Sequence, residues 1–377
     1  MTLRLQRLSE ADFSSMAEEW CACLKRSSAN PLFLGWPWLY SWWEVWSQVL
    51  GLELVLIGVY DEQGTLVGLG PFYRRAMLTP AGVRVYRLYL IGSGWRLAPT
   101  VRTEYGGLIL PKGRESEVND AMLAAVSKLQ WDELICSDLV TEDVQGFSAE
   151  RWPGTTKPRF IERMVDKGVR LRTDGSFENW LQSLGKNTRL KAYNRRSYLR
   201  ERGKLVFSAY DRGDSGEFLK HLNDFHRVRW GKPVFDEDAV RFHQLLIDRL
   251  PLGEGRAELT ALHFDGKCVS VLYDVVVGGW RVNLQAGFIE DFDNKVALGS
   301  LHIGFAVESA FSEEGIKYYD LLAGAGKKHF YKSHFRGESV EFSTFQVVKS
   351  PLIAFLYWLE SAAPKPISQF FNRKIGL

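Results

Sequence analysis

The segment that decides the fold lies between residues 280 and 335. It begins with WRVNLQAGF (280–288), continues through DNKVALGS (293–300), and reaches IKYYDLLAG (316–324) after a helix-like stretch. The first and last stretches are predicted to be strands, and the helix between them is predicted to begin near Leu301. Free backbone N–H groups at such a helix N-terminus bind phosphate, and a glycine in the loop lets a pyrophosphate approach the main chain. Many helices begin this way, so the pattern alone does not identify a ligand.

The residues around this segment predict a mixed α and β domain. Strands are predicted at 169–172, 204–210, 258–264 and 268–277, and helices at 187–202, 216–230, 238–250 and 301–313. A similar order of elements precedes it in the first half of the chain, with predicted helices at 9–25, 38–49 and 116–129 and strands at 3–8, 54–60, 66–74, 85–91, 107–110 and 133–139. The fold class is therefore predicted as α+β (mixed α/β), with the order of elements duplicated.

The composition is typical of a folded protein. The 377 residues are 46% hydrophobic, and 48 Lys and Arg nearly balance 45 Asp and Glu, which gives a net charge of +3. This balance argues against DNA as a partner and disfavours tRNA. Four scattered cysteines predict reduced thiols, and neither a secretory signal nor an apolar run of ~20 residues is apparent. We therefore expect a cytoplasmic protein without a transmembrane segment.

The histidine spacing predicts no metal site. His221 and His226 are five residues apart, as are His329 and His334. Neither spacing places both imidazoles on one face of a helix, where they would share a metal ion. We expect the protein to bind no metal.

A local excess of positive charge lies between residues 186 and 204. Eight Lys and Arg residues occur in this stretch, with Glu201 as its only acid. Two interpretations stay open at this point. The stretch is either a solvated helical face or a surface that binds a phosphorylated ligand or an anionic polymer.

Several short blocks occur along the chain in an order and spacing that chance does not explain. They are Phe33-Leu-x-Trp36 with Trp42-Trp43; Lys186-Asn-x-Arg189 with Arg195-Arg196; Phe225-His226-x-x-Arg229-Trp230; Gln285-Ala-Gly287-Phe288; Leu298-Gly299; and Tyr319-Asp320-x-x-x-Gly324 with Tyr331-Lys332. In these blocks the chain resembles the GNAT superfamily. It resembles more closely the tandem-GNAT, FemAB-like proteins that include the cellulose-biosynthesis (CelD/BcsL-type) acetyltransferases. The resemblance spans about residues 30–340.

The resemblance implies two GNAT-like domains in tandem, each with a central, mostly antiparallel sheet flanked by helices. They are expected at residues 1–167 and 168–349, followed by an amphipathic tail at 350–377. Acetyl-CoA or another acyl-CoA is expected to bind the second domain as co-substrate. The residues expected to bind it are Gln285, Ala286, Gly287, Val296, Leu298, Gly299 and Ser300.

The implied chemistry is direct attack of an amine or a hydroxyl on the thioester, with a backbone N–H on the strand around Leu284–Gly287 stabilising the oxyanion. Tyr331 is the candidate acid for the leaving thiolate, because the GNAT pattern supplies this acid after the fifth strand. Asp320 and His226 are both able to accept a proton, and the choice between them stays open. The residues expected to contact substrate are Arg189, Arg196, Arg229, Trp230 and Lys332, with Arg195 as a further phosphate contact.

Two departures from the family pattern affect donor binding. Ala325-Gly326-Lys327 lengthens the loop before Tyr331, and Ala297-Leu298 replaces the usual proline or tyrosine before the loop glycine. Both departures lie close to the expected donor site, so the details of donor binding are expected to differ from the family pattern.

The resemblance favours an acyl-CoA-dependent N- or O-acyltransferase that acts on a sugar, a glycan precursor or an amine-bearing metabolite. One alternative is an aminoacyl-tRNA-dependent transferase, as in the FemAB peptidoglycan enzymes. Another is a non-catalytic subunit of a polysaccharide-synthesis complex. The tail at 350–377 is the candidate for association with that complex or with the periphery of the inner membrane, although a helix packed on its own domain is the commoner explanation of such a tail.

Overall fold

The computed structural model describes residues 3–78, 82–324 and 331–362. Contacts within the chain divide it into two compact units, which are Met1–Val165 with Phe342–Leu377, and Asp166–Glu341. Each unit has a hydrophobic core of its own.

The elements of the first half begin with a strand and a capped helix, as predicted. In chain order they are β1 (Arg4–Leu8), α1 (Glu10–Ser15), α2 (Ala17–Lys25), α3 (Trp36–Trp46), β2 (Glu53–Tyr60), β3 (Leu66–Leu78), β4 (Arg84–Leu90), α4 (Glu115–Ser127), β5 (Glu133–Val140), α5 (Thr141–Val144) and β6 (Arg159–Arg172). Ser9 caps α1, because its hydroxyl accepts from the Asp12 N–H while Asp12 accepts from the Ser9 N–H. The strand predicted at 107–110 is reduced to an isolated bridge between Leu69 and Ile109.

The second half contains the predicted three-stranded meander. The elements of the second half are α6 (Phe177–Ser183), α7 (Lys186–Arg189), α8 (Arg195–Arg200), β7 (Leu205–Ala209), α9 (Ser215–Trp230), α10 (Glu237–Arg249), β8 (Arg256–Phe264), β9 (Lys267–Val277), β10 (Trp280–Phe288), α11 (Leu298–Ser312), β11 (Tyr318–Ala323), β12 (Glu338–Val348) and α12 (Pro351–Ala362). The meander consists of β8, β9 and β10. A π-helical turn at Leu190–Asn194 separates α7 from α8. The single helix predicted at 187–202 is therefore interrupted.

The first unit is built on a sheet with the strand order β1-β2-β3-β4-β5-β12. Neighbouring strands are antiparallel except for β4 and β5, which are parallel. Val118, Met122 and Val126 lie at helical spacing on α4 and are buried against strand residues such as Phe72 and Leu88. This apolar contact holds the helix on the sheet.

The second unit repeats this arrangement with the strand order β6-β11-β10-β9-β8-β7. Neighbouring strands are again antiparallel except for one parallel pair, β10 and β11. Ile303, Val307 and Ala310 of α11 are buried against Leu272 and Tyr319 of the sheet. The duplication of the order of elements is thus a property of the fold as well as of the sequence.

Strand β12 changes the predicted division of the chain. The second domain was expected to extend to residue 349, but Phe342–Val348 pairs with β5 and belongs to the first unit. A sequence read in order does not show that a late strand returns to an early sheet. The first break in the chain falls between Val165 and Asp166, two residues before the predicted one.

Helix α12 begins the predicted amphipathic tail. Ile353 and Tyr357 are buried beside Val85 and Val348, whereas Leu352, Phe355 and Trp358 are exposed. Residues 363–377 lie outside the described part of the chain. Among the helices that are described, none combines the length and the hydropathy needed to cross a membrane.

Candidate functional site

Strands β10 and β11 run side by side for only a short distance. Their parallel pairing joins Trp280–Val282 to Tyr318–Asp320 and, within the described residues, extends no further. A bulge between Asn283 and Gln285 then shifts the register of β10 against β9. Because bulges bend a strand and redirect its side chains, the two strands diverge. The space between the second half of β10 and the end of β11 is called the β10/β11 cleft below.

A buried ion pair lies where this cleft begins. The carboxylate of Asp274 accepts from Arg281 Nε at 2.8 Å, from Asn283 Nδ2 at 2.8 Å and from the Tyr319 hydroxyl at 3.0 Å. Burial raises the pKa of Asp274, and these three donors oppose the rise. The network joins β9, β10 and β11. Sequence analysis did not identify it, because Asp274 and Arg281 stand singly within apolar strands.

The N-terminus of α11 lies beside the second half of β10. Its N-cap residue is Ala297, whose side chain cannot cap the helix, so the first-turn N–H groups are available to a ligand. An ideal Cβ at Gly299 would lie 2.7 Å from the Phe288 ring, so a larger residue at this position would displace that ring. Val296 and Leu298 are buried in the same cluster and anchor the loop. Residues 296–300 therefore form a helix N-terminus with positive partial charge, ending at the half-buried Ser300.

A group of cations surrounds Tyr198 on the neighbouring helix α8. Arg202, Arg195 and Lys295 lie 3.6, 5.2 and 5.7 Å from the centre of its ring. The Tyr198 hydroxyl donates to Asp293 Oδ2 at 3.0 Å, which links α8 to the loop before α11. The Lys295 N–H donates to Asp293 and lowers its pKa, with further lowering from Tyr198, Arg202 and Lys295. Part of the basic stretch thus lies beside residues 296–300.

The main chain of Ala286 is engaged on the wall of the cleft. Its N–H donates to Gln285 Oε1 at 3.0 Å, and its carbonyl oxygen is 3.0 Å from His226 Nε2 on α9. A carbonyl only accepts, so Nε2 carries the hydrogen and Nδ1 is the basic nitrogen of the neutral imidazole. An ideal Cβ atom at the next residue, Gly287, would touch Leu222 and Phe225 of α9. These contacts bring predicted residues Gln285, Ala286, Gly287 and His226 together.

The C-terminal end of α9 carries two further predicted residues. Arg229 Nε is 3.1 Å from Glu290 Oε1, and the guanidinium lies over the rings of Trp230 and Phe288. Trp230 is 61% exposed, which is unusual for a tryptophan and leaves its ring accessible to a ligand. Arg229 therefore lies next to the second half of β10, and the Trp230 ring lies against the Arg229 guanidinium.

The end of β11 contains the other candidate base. Asp320 is buried, and its Oδ1 accepts from the Leu322 N–H at 2.7 Å. Leu322 has a φ of 60°, so this hydrogen bond stabilises a strained bulge. Lys332 donates to the carbonyl oxygens of Leu321, Leu322 and Ala323, which occupies its ammonium group. Residues 325–330 and the side chain of Tyr331 lie outside what the structure describes, and so does the inserted loop.

The predicted arginines of the basic stretch differ in environment. Arg196 is buried, forms an ion pair with Glu308 of α11 and lies 3.6 Å from the centre of the Phe305 ring. Arg189 is half-buried and donates to the Gln182 carbonyl at 3.4 Å. The Arg196 side chain thus attaches α8 to α11. Arg195 instead lies beside Tyr198, which bonds to the loop before α11.

A buried histidine supports β10 from the α11 side. His302 Nδ1 is 2.8 Å from Ser270 Oγ, and Nε2 is 3.1 Å from Thr260 Oγ1. Ser270 Oγ in turn donates to the Gly287 carbonyl at 3.2 Å. Burial lowers the pKa of His302 to about 3, so the imidazole is neutral at physiological pH. Sequence analysis missed this residue, because a single histidine in an apolar helix gives no signal.

The first unit has a corresponding pair of parallel strands, β4 and β5, and the segment between β4 and α4 lies beside the end of this pair. The pairing of β4 with β5 joins Arg87–Tyr89 to Glu133–Ile135. Beyond it, the Gly106 N–H donates to the Asp138 carbonyl at 3.1 Å, and Arg102 forms an ion pair with the Asp138 carboxylate at 2.6 Å. The segment between β4 and α4 thus lies against β5 at the place that is the cleft in the second unit.

Comparison with known proteins shows what the second unit is similar to. Residues 186–333 match the family described as an acetyltransferase (GNAT) domain. Curated protein sequences give no match. The solved structure of FemX is 12% identical, with a TM-score of 0.62 and coverage of 94% of this chain and 99% of that chain. A protein of unknown function from Bacteroides thetaiotaomicron VPI-5482 is 11% identical, with a TM-score of 0.55 and coverage of 92% and 100%.

A third solved structure, a tandem GNAT protein from the clavulanic acid biosynthesis pathway, is 10% identical, with a TM-score of 0.48 and coverage of 93% and 99%. The matched residues lie within the second unit and contain β7 to β11. The second unit therefore has the fold of a GNAT acyltransferase domain. The predicted class, a mixed α and β protein with two GNAT-like units, is confirmed. The CelD/BcsL resemblance and the residue roles stay predictions.

Proposed function

We propose that this protein is an acyltransferase that uses acyl-CoA as donor, bound in the β10/β11 cleft. The observation that carries the proposal is the divergence of β10 and β11 beside the uncapped N-terminus of α11. The thioester arm would lie between the strands, and the pyrophosphate would accept hydrogen bonds from the main chain at residues 297–300. The Val296 N–H is not a donor to it, because it already donates to the Asp293 carbonyl at 3.0 Å. Arg195, Arg202 and Lys295 supply positive charge for the remaining phosphate.

The proposed reaction is a direct transfer. The lone pair of an acceptor amine or hydroxyl attacks the thioester carbon, and the carbonyl oxygen becomes an oxyanion that accepts from the Ala286 N–H. The C–S bond then breaks, the thiolate takes a proton, and the acceptor loses one. Because Gln285 Oε1 holds the Ala286 N–H at 3.0 Å, its side chain must turn away when the donor binds. Tyr331 remains the proposed acid.

His226 is the preferred base. Asp320 is about 1% exposed and its Oδ1 already accepts a main-chain hydrogen bond, so removing its carboxylate from that role costs stability. His226 is half-buried, and its bond to the Ala286 carbonyl fixes the imidazole on the wall of the cleft. A base must be accessible to the acceptor, and the half-buried imidazole of His226 is more accessible than the buried carboxylate of Asp320.

We further propose a sugar, a glycan precursor or an amine-bearing metabolite as the acceptor. The exposed Trp230 ring beside Arg229 offers a flat apolar surface on which a sugar ring would stack. A CelD/BcsL-type role in polysaccharide synthesis fits this class of acceptor and rests on the sequence resemblance alone.

Transfer from aminoacyl-tRNA is the second candidate. The observation that favours it is the cation group around Tyr198, which would suit RNA phosphates as well as CoA. Such binding would weaken steeply with salt. Weak binding of tRNA at every salt concentration would exclude this candidate.

The proposed base is tested by measuring thiol release from acetyl-CoA with amino sugars, neutral sugars and alkylamines as acceptors. We expect His226→Gln to lower kcat by ~100-fold or more, with KM for acetyl-CoA changed little, and to remove an ionisation from the pH profile. His221→Gln on the same helix is the matched control, because His221 contacts Tyr210 instead of the cleft. Equal activity of the two variants would contradict the assignment of His226.

A further inference from the structure

A cavity of about 240 Å³ in the first unit has no role in the proposed reaction. Its walls come from the start of α4, the segment around Ser28, the residues near Leu108, and the segment from α5 to Phe147. The volume is below the ~300 to 1,000 Å³ that is usual for drug-sized ligands. The cavity therefore suits a molecule of a few heavy atoms.

Carboxylates dominate the charge of this cavity. Glu115, Glu142 and Asp143 line it, and the one cation among the lining residues, Arg151, is paired with Asp120 at 2.7 Å. The carboxyl of Asp143 is turned towards the buried Gly107, since an ideal Cβ there would lie 3.7 Å from Asp143 Oδ2. Acidic residues at helix starts are common, so these charges alone do not define a site.

Asn119 supplies the independent observation. This residue is 2% exposed and lines the cavity. Its Nδ2 donates to the Gly146 carbonyl at 2.8 Å, whereas its Oδ1, although buried, meets no donor among the described residues. The orientation of the amide is determined, because a flip would place two oxygen atoms against each other. A buried acceptor without a donor is costly and indicates that a ligand supplies the missing N–H.

We propose that this cavity binds a small molecule with a primary ammonium group, which donates to Asn119 Oδ1 and is balanced by the Asp143 carboxylate and its acidic neighbours. A metal ion fits less well, because no group of three His, Cys, Asp or Glu in the described part of the chain is placed to hold one. An ammonium group offers both the positive charge and the N–H donors that the cavity lacks. This inference goes beyond the proposed acyl transfer and does not depend on it.

The pKa of Asp143 gives the expected pH dependence. Burial and the neighbouring Glu142 raise it to about 6. The other charged groups that line the cavity are Glu115 on α4 and Arg151. Because a bound cation favours the ionised carboxylate, we expect affinity for the amine to fall as the pH drops below about 6.

The test is calorimetric titration of the full chain with putrescine, using 1,4-butanediol as the neutral analogue and tetramethylammonium as the cation without N–H donors. We expect putrescine to bind, butanediol not to bind, and tetramethylammonium to bind at least tenfold more weakly than putrescine. Asp143→Asn should weaken putrescine binding at least tenfold, and Glu142→Gln should weaken it to a smaller extent.

The matched control is Glu117→Gln, because Glu117 lies on α4, the helix of Glu115 and Asn119, and pairs with Arg114 outside the cavity. We expect it to leave putrescine binding unchanged. Equal loss in Glu117→Gln and Asp143→Asn would show nonspecific attraction to surface acids and would overturn the proposal. Binding of butanediol as tight as that of putrescine, or no binding of putrescine, would overturn it as well.

Discussion

Individual buried charges connect the strands at the start of the β10/β11 cleft. Asp274 and Arg281 each have a side chain that is about 1% exposed, and they bind each other at 2.8 Å. A carboxylate in this position is stable only while its donors remain, because water cannot replace them. The pair therefore makes the junction of β9, β10 and β11 sensitive to a single substitution.

We predict that Arg281→Met lowers the free energy of unfolding by about 3–5 kcal/mol, because it leaves the Asp274 carboxylate buried without its cation. The matched control is Arg256→Met, because the Arg256 side chain is 49% exposed and pairs with Glu258 at 2.7 Å. That variant should lose less than about 1 kcal/mol. Urea unfolding measures both values, and equal losses would contradict the importance of the buried pair.

Buried histidines determine the stability of the protein in acid. His243 lies among Phe235, Phe242 and Tyr273, and burial lowers its pKa to about 3. The unfolded chain takes up this proton below pH 6.5 while the folded chain does not, so stability is lost as the pH falls from 6.5 towards 3. His302 acts in the same direction.

His243→Leu should remove the contribution of one histidine. Between pH 7 and pH 5 we expect the wild-type protein to lose about 2 kcal/mol more than the variant in the free energy of unfolding. Chemical denaturation at the two pH values measures the difference. Parallel losses in the two proteins would show that His243 is protonated in the folded state.

The contacts of individual side chains were the least predictable feature of this structure. The sequence located residues 296–300 at a helix start, because glycine and the following apolar run give a local signal. It did not reveal the ion pair of Arg196 with Glu308, which joins residues far apart in the chain. Pairings of this kind depend on the tertiary fold and leave no pattern in neighbouring residues.

At the level of elements, the packing of α11 on the π-helical turn is the tightest contact beside the site. An ideal Cβ at Gly304 would lie 1.9 Å from the Ala192 carbonyl oxygen. The backbone of the turn therefore reaches the backbone of α11, and this contact places α8 and its cations beside the loop before α11. Only glycine at position 304 permits such an approach.

Gly304→Ala is a direct test of this contact. A Gly to Ala change within a helix usually stabilises it by ~0.5–1 kcal/mol, but the clash with Ala192 should reverse the sign and cost ~1–3 kcal/mol. Gly216→Ala in α9 is the control, because the nearest atom to its ideal Cβ is Gln244 Nε2 at 4.0 Å. Stabilisation of both variants in thermal unfolding would contradict the close contact.

The elements themselves were more predictable than the residues. The meander β8 to β10 follows the predicted limits within two residues, because alternating apolar residues and glycine turns give a strong local signal. The basic segment at 187–202 was predicted as one helix and is interrupted by the π-helical turn. Its interruption follows from packing on α11, which propensity alone does not reveal.

At the level of the whole molecule, the two units share a strand order but differ in the segment between the first strand of the parallel pair and the next helix. The β10/β11 cleft follows a short parallel pairing, and α11 begins ten residues after β10 ends. In the first unit, a longer segment between β4 and α4 bonds to Asp138 at the corresponding place. Duplication was visible in the sequence, but this difference between the units was not.

The most direct test of the account is the number and location of acyl-CoA sites. Calorimetric titration of the full chain with acetyl-CoA should show one site per chain, because in the first unit the segment between β4 and α4 bonds to Asp138 at the place that corresponds to the β10/β11 cleft. Ala297→Asp adds a favourable N-cap together with a negative charge at the proposed pyrophosphate position, so it should leave folding intact and weaken binding at least tenfold.

The control is Ala297→Asn, which caps the helix without charge and should bind acetyl-CoA with nearly wild-type affinity. One site per chain, lost in Ala297→Asp and kept in Ala297→Asn, is the result that the account predicts. Two sites per chain, equal binding by both variants, or no binding of acetyl-CoA and longer acyl-CoAs by the folded wild-type protein would contradict it.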